Sequence, residues 1–511
     1  LSLHDALPIL PGHASAALAS YPELSCGLGK TYVVRDYFDV FDEVYCPKEH
    51  TFEFLQNVLT EVMELFPSHY IHIGGDECPK KAWKKCAHCQ HLMKWEGLPN
   101  EEALQSWFIH RIEQFVNSKG RDIIGWDEIL EGGLAPNATV MSWRGEKGGI
   151  EAAHQRHKVI MTPGKKCYLD YYQESPEFAP LAIGGFLPLD TVYNYNPLPA
   201  ELTPEEQAYI IGVQANIWGE YIQTPEYFEY MAFPRLLAMS EVQWTQPEHK
   251  DFESFARRLD KEFERLDYCG VNACRNFYEV NQAGAWNKSQ QTYEVTLNTF
   301  CPDADIYYAV NDSTVNTSSS LYKTPIPLDE DATVYSAVYR DGKPLGKVTR
   351  KSFAVNKATG CDYTCNPAAG WEHLNEGFGL TDGRRGYARD MRRWISFYQD
   401  TVQIVVELKK PQKVKEVAFS SLWRPVNEIW PARAMSVSVS MDGQTFIPVG
   451  TKRLTYDFSL TEGTRFPASL SFAETEATFV RLELLSGGLC PKGYFHEGLQ
   501  SELAIDEIEI Y

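Results

Sequence analysis

The chain has 511 residues, 44% of them hydrophobic, which is too much apolar material for a disordered protein and too much length for one ordinary domain. Its 48 Lys and Arg against 69 Asp and Glu leave a formal charge of -21, a sign that repels a phosphate backbone and argues against general nucleic-acid binding. No apolar stretch approaches the length of a membrane span, so no transmembrane segment is expected.

Residues 1–8 lack the basic start and apolar core of a signal peptide. Over residues 9–270 short apolar strands alternate with amphipathic helices. The first long helix is predicted over 49–66, with Phe54, Leu55, Val58, Val62 and Leu65 as its buried face. Tyr70–Asp76 reads as a strand running into glycines. Asp122–Glu128, Thr139–Trp143, Lys158–Pro163 and Gly212–Trp218 read as further strands, with helices over 101–118, 145–157 and 249–266. This alternation implies parallel pairing through right-handed crossovers. Nearly every strand ends in Trp, Asp, Glu or Tyr, and no GxGxxG joins a strand to a helix. Both features favour a (β/α)8 barrel, with its active site at the C-terminal strand ends, over a dinucleotide-binding sheet. About six strands are countable, whereas closure needs eight. The expected fold class is therefore α/β: an incomplete TIM barrel followed by two β-sandwich domains.

The first sandwich is predicted over 275–355, where Tyr293–Leu297, Ala304–Val310 and Ala332–Tyr339 alternate in strand fashion and Asp341-Gly342 marks a turn. The second covers 361–511 and includes strands at Val402–Leu408, Met435–Ser440, Phe479–Leu484 and Ile505–Ile510. The 12 cysteines are too sparse for a disulfide scaffold, and Cys86 and Cys89 form one CxxC without a clear second. Three readings stay open for them: a zinc knot from Cys78, Cys86 and Cys89 with a fourth ligand, a local disulfide, or plain thiols.

The sharpest chemical element is His72-Ile-Gly-Gly-Asp-Glu77. Neighbouring side chains of a regular strand face opposite ways, so Asp76 and Glu77 can serve one ligand only if the strand ends there; Gly74 and Gly75 permit the turn. Two acids at a barrel mouth beside Trp126, Trp143 and Trp218 suggest acid-assisted cleavage of a glycosidic bond, with rings for the sugar faces and Tyr168, Asp170 and Glu220 for its polar groups. A second acidic pair, Asp127-Glu128, also ends a strand but lacks the glycine opening. His72 is expected to pack against the catalytic layer rather than bind a metal.

With these residues in view, the region from about 8 to 265 resembles the β-N-acetylhexosaminidases of glycoside hydrolase family 20. The resemblance rests on His72 to Glu77 followed by Gly125-Trp-Asp-Glu128, Trp143, Tyr168-Leu-Asp170 and Trp218-Gly-Glu220. It implies a retaining exo-hydrolase that releases terminal β-linked N-acetylglucosamine or N-acetylgalactosamine, using the substrate's own acetamido oxygen as nucleophile through an oxazolinium intermediate. It also implies roles. Glu77 resembles the general acid/base, and Asp76 the carboxylate that orients the acetamido N–H. Tyr168 is similar to the donor to the acetamido oxygen. Trp126, Trp143 and Trp218 resemble the pocket walls, Asp170 and Glu220 the acceptors for the 4- and 6-hydroxyls, and Tyr195 a further wall aromatic. Neither a cofactor nor a metal is implied.

Pro11-Gly-His13 also resembles the family, placing His13 near the active site. The first two strands, an arginine for the 3- and 4-hydroxyls and an aspartate partner of His13 are expected to lie upstream of what this chain contains. Residues 1–8 read as an unrelated leader. An N-terminally shortened, poorly soluble or inactive polypeptide is therefore expected, although its parent is an enzyme. The 275–355 segment is similar to a chitobiase C-terminal sandwich, and 361–511 to a discoidin-like module. The partner expected is a terminal N-acetylhexosamine of a glycan or glycoconjugate, and the resemblance implies an exported parent protein. Two other readings remain: a related barrel glycosidase of different sugar specificity, and a non-catalytic glycan-binding protein.

Overall fold

The computed structural model describes residues 9–29, 31–35, 40–370, 379–459, 463–494 and 497–511, so the expected leader at 1–8 lies outside the described residues. The chain divides into two compact units, one of residues 1–173 with 186–252 and the other of residues 174–185 with 253–511.

The first unit is built on five parallel strands in chain order: β1 (Tyr70–His72), β2 (Asp122–Trp126), β3 (Thr139–Ser142), β4 (Val159–Met161) and β5 (Ile210–Val213). The register pairs Tyr70 with Asp122, Ile124 with Thr139, Val140 with Val159, and Val159 with Ile210. Beyond β1 the Leu10 N–H donates to the Ile73 carbonyl at 3.0 Å, a single parallel bridge that adds a sixth short segment to the row. Among the described residues β1 and β5 do not pair, so the sheet is a partial TIM barrel. Ile71, Ile123, Val140 and Val159 are buried, as both faces of a helix-covered parallel sheet require. β5 differs: Ile211 stands 46% exposed.

Helices run close to where periodicity puts them. The helix Glu101–Ser118 begins where the Asn100 side chain caps the Ala103 N–H at 2.9 Å, with Glu101 and Glu102 in the first turn, and it buries Leu104, Phe108, Ile112 and Val116. The helix Glu49–Leu65 corrects the expected face. Its buried stripe is Phe52, Leu55, Leu59 and Met63, whereas Leu65 is 75% exposed and Phe54, Val58 and Val62 are only partly covered. This helix carries apolar residues around most of its girth, and the neighbour chooses among them: Phe52 packs its ring 4.7 Å from Phe108.

The second unit is antiparallel. A three-stranded sheet orders Ile326–Leu328, Thr292–Asn298 and Asn281–Asn287, and a second sheet centres on Ala332–Arg340. Asp341 and Gly342 both have positive φ (50° and 72°) and join Arg340 to Lys343 in a two-residue hairpin. Among the described residues the last sheet has eight strands, with Thr401–Trp423 paired along Thr464–Leu485 over a core that includes Val402, Ile404, Val437 and Leu482. The strand predicted over Ile505–Ile510 is interrupted: Leu503–Ile505 and Glu509–Ile510 are separate pieces. No helix among the described residues is long and apolar enough to cross a membrane.

Candidate active site

The site forms where β1 stops. After His72 and Ile73 the backbone passes through Gly74 (φ 76°) and Gly75 (φ 92°), then Glu77 itself at φ 41°. A side chain at Gly75 would sit well inside van der Waals contact with Ile129 Cγ2, and one at Gly74 would come within 2.9 Å of Ile9 Cα. The Gly75 carbonyl is held by the buried Gln105 amide at 2.7 Å. His72 is buried and accepts the Gly74 N–H on Nδ1 at 3.0 Å, while burial pushes its imidazole down to about 3, so it is neutral and carries its proton on Nε2. The strand end is thus locked from three sides, and two successive carboxylates emerge from a turn rather than from a pleat.

His13 meets both of them. Its Nε2 lies 3.5 Å from Asp76 Oδ2 and 3.3 Å from Glu77 Oε2. Hydrogen bonding to Asp76, then to Glu77, raises the imidazole from 6.5 to about 10, so it is cationic at neutral pH. Asp76 is the deeper acid, 13% exposed against 35% for Glu77. Its second oxygen, Oδ1, is buried without a hydrogen-bond partner among the described residues. His13, Asp76 and Glu77 also converge closely enough to hold a cation. The protonated imidazole already supplies the positive charge there.

Beside this pair the rings form a continuous row. The Trp126 N–H donates to the Gly74 carbonyl at 2.8 Å, which sets its side chain next to the β1 terminus. The His72 and Trp126 rings are 4.7 Å apart, Trp126 and Trp218 6.0 Å, Trp218 and Tyr168 6.5 Å, and Tyr168 stacks on Trp143 at 6.3 Å. Trp126 Nε1 is buried without a hydrogen-bond partner among the described residues. Tyr168 and Asn216 are bridged between the segments that follow β4 and β5, and burial pushes the Tyr168 hydroxyl well up. Asp170 is buried, and burial raises it to about 7, with the charge of Glu220, on the exposed side, adding to the rise; neither of its carboxylate oxygens has a hydrogen-bond partner among the described residues.

Tyr195 is not part of this row. It is buried, makes no ring contact with the others among the described residues, and its backbone carbonyl accepts from Lys250 Nζ at 2.7 Å. The pair Asp127-Glu128 has a different task from Asp76-Glu77. Arg144 Nε lies 3.0 Å from Asp127 Oδ1, and Trp143 Nε1 donates to Glu128 Oε2 at 2.9 Å. These acids are buried and committed to orienting Trp143 and Arg144.

Two supports escape a reading of the sequence. Gln105 looks like one polar residue on an amphipathic helix, and only its place in the buried stripe hints at a partner. Arg235 is fully buried and donates to the carbonyls of Tyr171 and Leu187 at 2.9 Å, and also to those of Leu169 and Met231. It thereby fixes the turn that presents Asp170.

Residues 9–247 match the family described as glycosyl hydrolase family 20, catalytic domain, and residues 281–349 match the chitobiase/beta-hexosaminidase C-terminal domain. The chain is 53% identical over 265 residues to a beta-hexosaminidase of Porphyromonas gingivalis, covering 52% of this chain and 34% of the relative. It is 35% identical over 237 residues to a beta-hexosaminidase of Vibrio furnissii, covering 45% and 38%. The crystal structure of a GH20 exo beta-N-acetylglucosaminidase from Vibrio harveyi in complex with N-acetylglucosamine aligns at 34% identity and a TM-score of 0.48, over 53% of this chain and 43% of that one. The chain thus spans between a third and two fifths of the length of these two curated relatives.

Proposed function

We propose, from the match of residues 9–247 to the glycosyl hydrolase family 20 catalytic domain, that the protein is a retaining exo-hydrolase of terminal β-linked N-acetylhexosamine. In this reading Glu77 protonates the leaving oxygen and then activates water, which suits the more exposed of the two acids. Asp76 receives the acetamido N–H and offsets the charge of the developing oxazolinium. Tyr168 donates to the acetamido oxygen, Trp126, Trp143 and Trp218 enclose the sugar, and Asp170 and Glu220 accept its 4- and 6-hydroxyls.

The observation that carries the proposal is Asp76 Oδ1. A buried carboxylate oxygen without a donor costs about 1–3 kcal/mol, and an amide N–H delivered by a ligand recovers it. A sugar bearing a 2-acetamido group brings that donor together with the nucleophile. Holding the acetamido oxygen in line with the anomeric carbon replaces a bimolecular attack by an intramolecular one, an advantage of about 7–11 kcal/mol in well-aligned cases. His13 serves as the fixed cation between two acids and keeps them together.

The test is a pair of variants assayed on N-acetylglucosaminides with good and poor leaving groups. Glu77→Gln should lower kcat about 10²–10⁴-fold on an alkyl or sugar leaving group, and much less on an activated aryl one that leaves without a proton. Asp76→Asn should impair both classes alike. Equal losses on both classes in Glu77→Gln would remove that residue from the acid role. Tight binding of a thiazoline-type mimic by a chain that turns over no substrate would favour a glycan-binding role. The proposal includes export of the parent protein, since glycans bearing such termini are mostly too large to enter a cell; cell fractionation checks it.

A further inference from the structure

Away from the carboxylates, four cysteines meet. The Sγ atoms of Cys26, Cys46, Cys86 and Cys89 all lie within 4.8 Å of one another. Individual separations are 3.8 Å for Cys26–Cys89, 3.7 Å for Cys46–Cys89 and 3.9 Å for Cys46–Cys86. A tetrahedral zinc with Zn–S bonds of about 2.3 Å has S–S edges of about 3.8 Å. We infer that these four side chains form a structural four-thiolate zinc site. Cys78, named with Cys86 and Cys89 in one of the three readings left open by the sequence, packs in the same apolar cluster but is not among the converging thiols.

The surroundings are those of a closed site. Cys46, Cys86 and Cys89 are buried, and Trp83, Val44, Met93 and Leu104 pack around them. With all four positions filled by protein, no coordination site remains for water or substrate, which distinguishes a structural zinc from a catalytic one. Cys86 is the residue from which the helix Ala87–Glu96 starts, so the positive end of that helix faces the thiolates. Lys48 Nζ donates to the carbonyl of Ser25 at 2.7 Å, which brings a positive charge close to Cys26. On binding, each thiol releases its proton to solvent and Zn(II) undergoes no redox change.

The site has a mechanical purpose. Between Gly27 and Pro47 the described residues form neither helix nor strand. This stretch is tied down by the Cys46 N–H on the Leu24 carbonyl at 2.8 Å, by Trp83 Nε1 on the Tyr45 carbonyl at 3.0 Å, and by the Tyr45 N–H on the Pro11 carbonyl at 3.0 Å. Pro11 lies two residues before His13, and Cys86 nine after Glu77. Zinc would clamp the segment that delivers His13 to the segment that carries its acidic partners.

The test begins with the full chain purified without chelator. Elemental analysis should find one zinc per chain. Replacement by Co(II) should produce the intense visible absorption of tetrahedral thiolate-bound cobalt. Cys26→Ser and Cys89→Ser should each lose most of the zinc and lower Tm, whereas Cys78→Ser and Cys269→Ser should keep it. A metal-free chain with twelve free thiols, a Cys26–Cys89 or Cys46–Cys86 disulfide found by mass spectrometry, iron in place of zinc, or full zinc retention in Cys89→Ser would each overturn the assignment. If the serine variants fail to fold, metal content and the cobalt spectrum of the unaltered chain still decide.

Discussion

Replacing Gly75 by alanine should damage both stability and catalysis, and the two causes can be separated. At φ 92° an alanine carries the strain of the left-handed region, about 1–2 kcal/mol. Its methyl would also drive into Ile129 Cγ2, an overpacking penalty of about 1–3 kcal/mol. Gly125 faces the same isoleucine: a methyl there would lie 2.7 Å from Ile129 Cγ2, without a positive φ. Gly75→Ala should therefore cost about 2–5 kcal/mol and Gly125→Ala about 1–3 kcal/mol. Ile129→Ala opens the shared notch. In that background Gly125→Ala should lose most of its penalty and keep only the tight 3.1 Å approach of its methyl to the Gly74 carbonyl, while Gly75→Ala keeps its backbone strain of about 1–2 kcal/mol. Urea unfolding of the five variants (three single, two double) and the parent measures the energies, and hydrolysis of an aryl N-acetylglucosaminide reports the displacement of Asp76 and Glu77. Equal rescue of both alanines, or a Gly75→Ala chain as stable and active as the parent, would refute the account of how the strand end is built.

His13 predicts a pH signature. Its imidazole is raised to about 10 by Asp76 and Glu77, so its stabilising contribution is complete below pH 6.5, shrinks above it and is gone as the pH passes about 10. The groups are partly exposed, so the contribution should be about 1–2 kcal/mol, read as the difference in unfolding free energy between parent and His13→Gln from pH 6 to 10.5. Trp143→Phe keeps a ring but removes the donor to Glu128, whose carboxyl burial already pushes upward; the loss should be about 1–3 kcal/mol in urea unfolding, and less in Glu128→Gln, which retains an acceptor. Arg235→Met strands four buried carbonyls and should cost about 3–5 kcal/mol, with KM rising more than kcat falls in any folded fraction, because it positions Asp170 without touching the reacting atoms.

Much of this protein is written locally. Alternation of short apolar runs with amphipathic stretches determines parallel strands joined by helices, because each element must bury one face within its own few turns. The glycines before Asp76 announce a strand end, since consecutive side chains cannot otherwise share a ligand. Chain path alone decided the remainder. The helix Glu49–Leu65 has apolar residues on several faces, and contact with Phe108 selected Phe52, Leu55, Leu59 and Met63. Tyr195 reads as a wall aromatic from sequence, and the tertiary structure sets it apart from the row of rings, on a segment anchored by Lys250, which donates to the Tyr193 and Tyr195 carbonyls. Cys26 and Cys46 lie 60 and 40 residues before Cys86. No periodicity reaches across such spans, and only the packed segment around Trp83 brings the four sulfurs together.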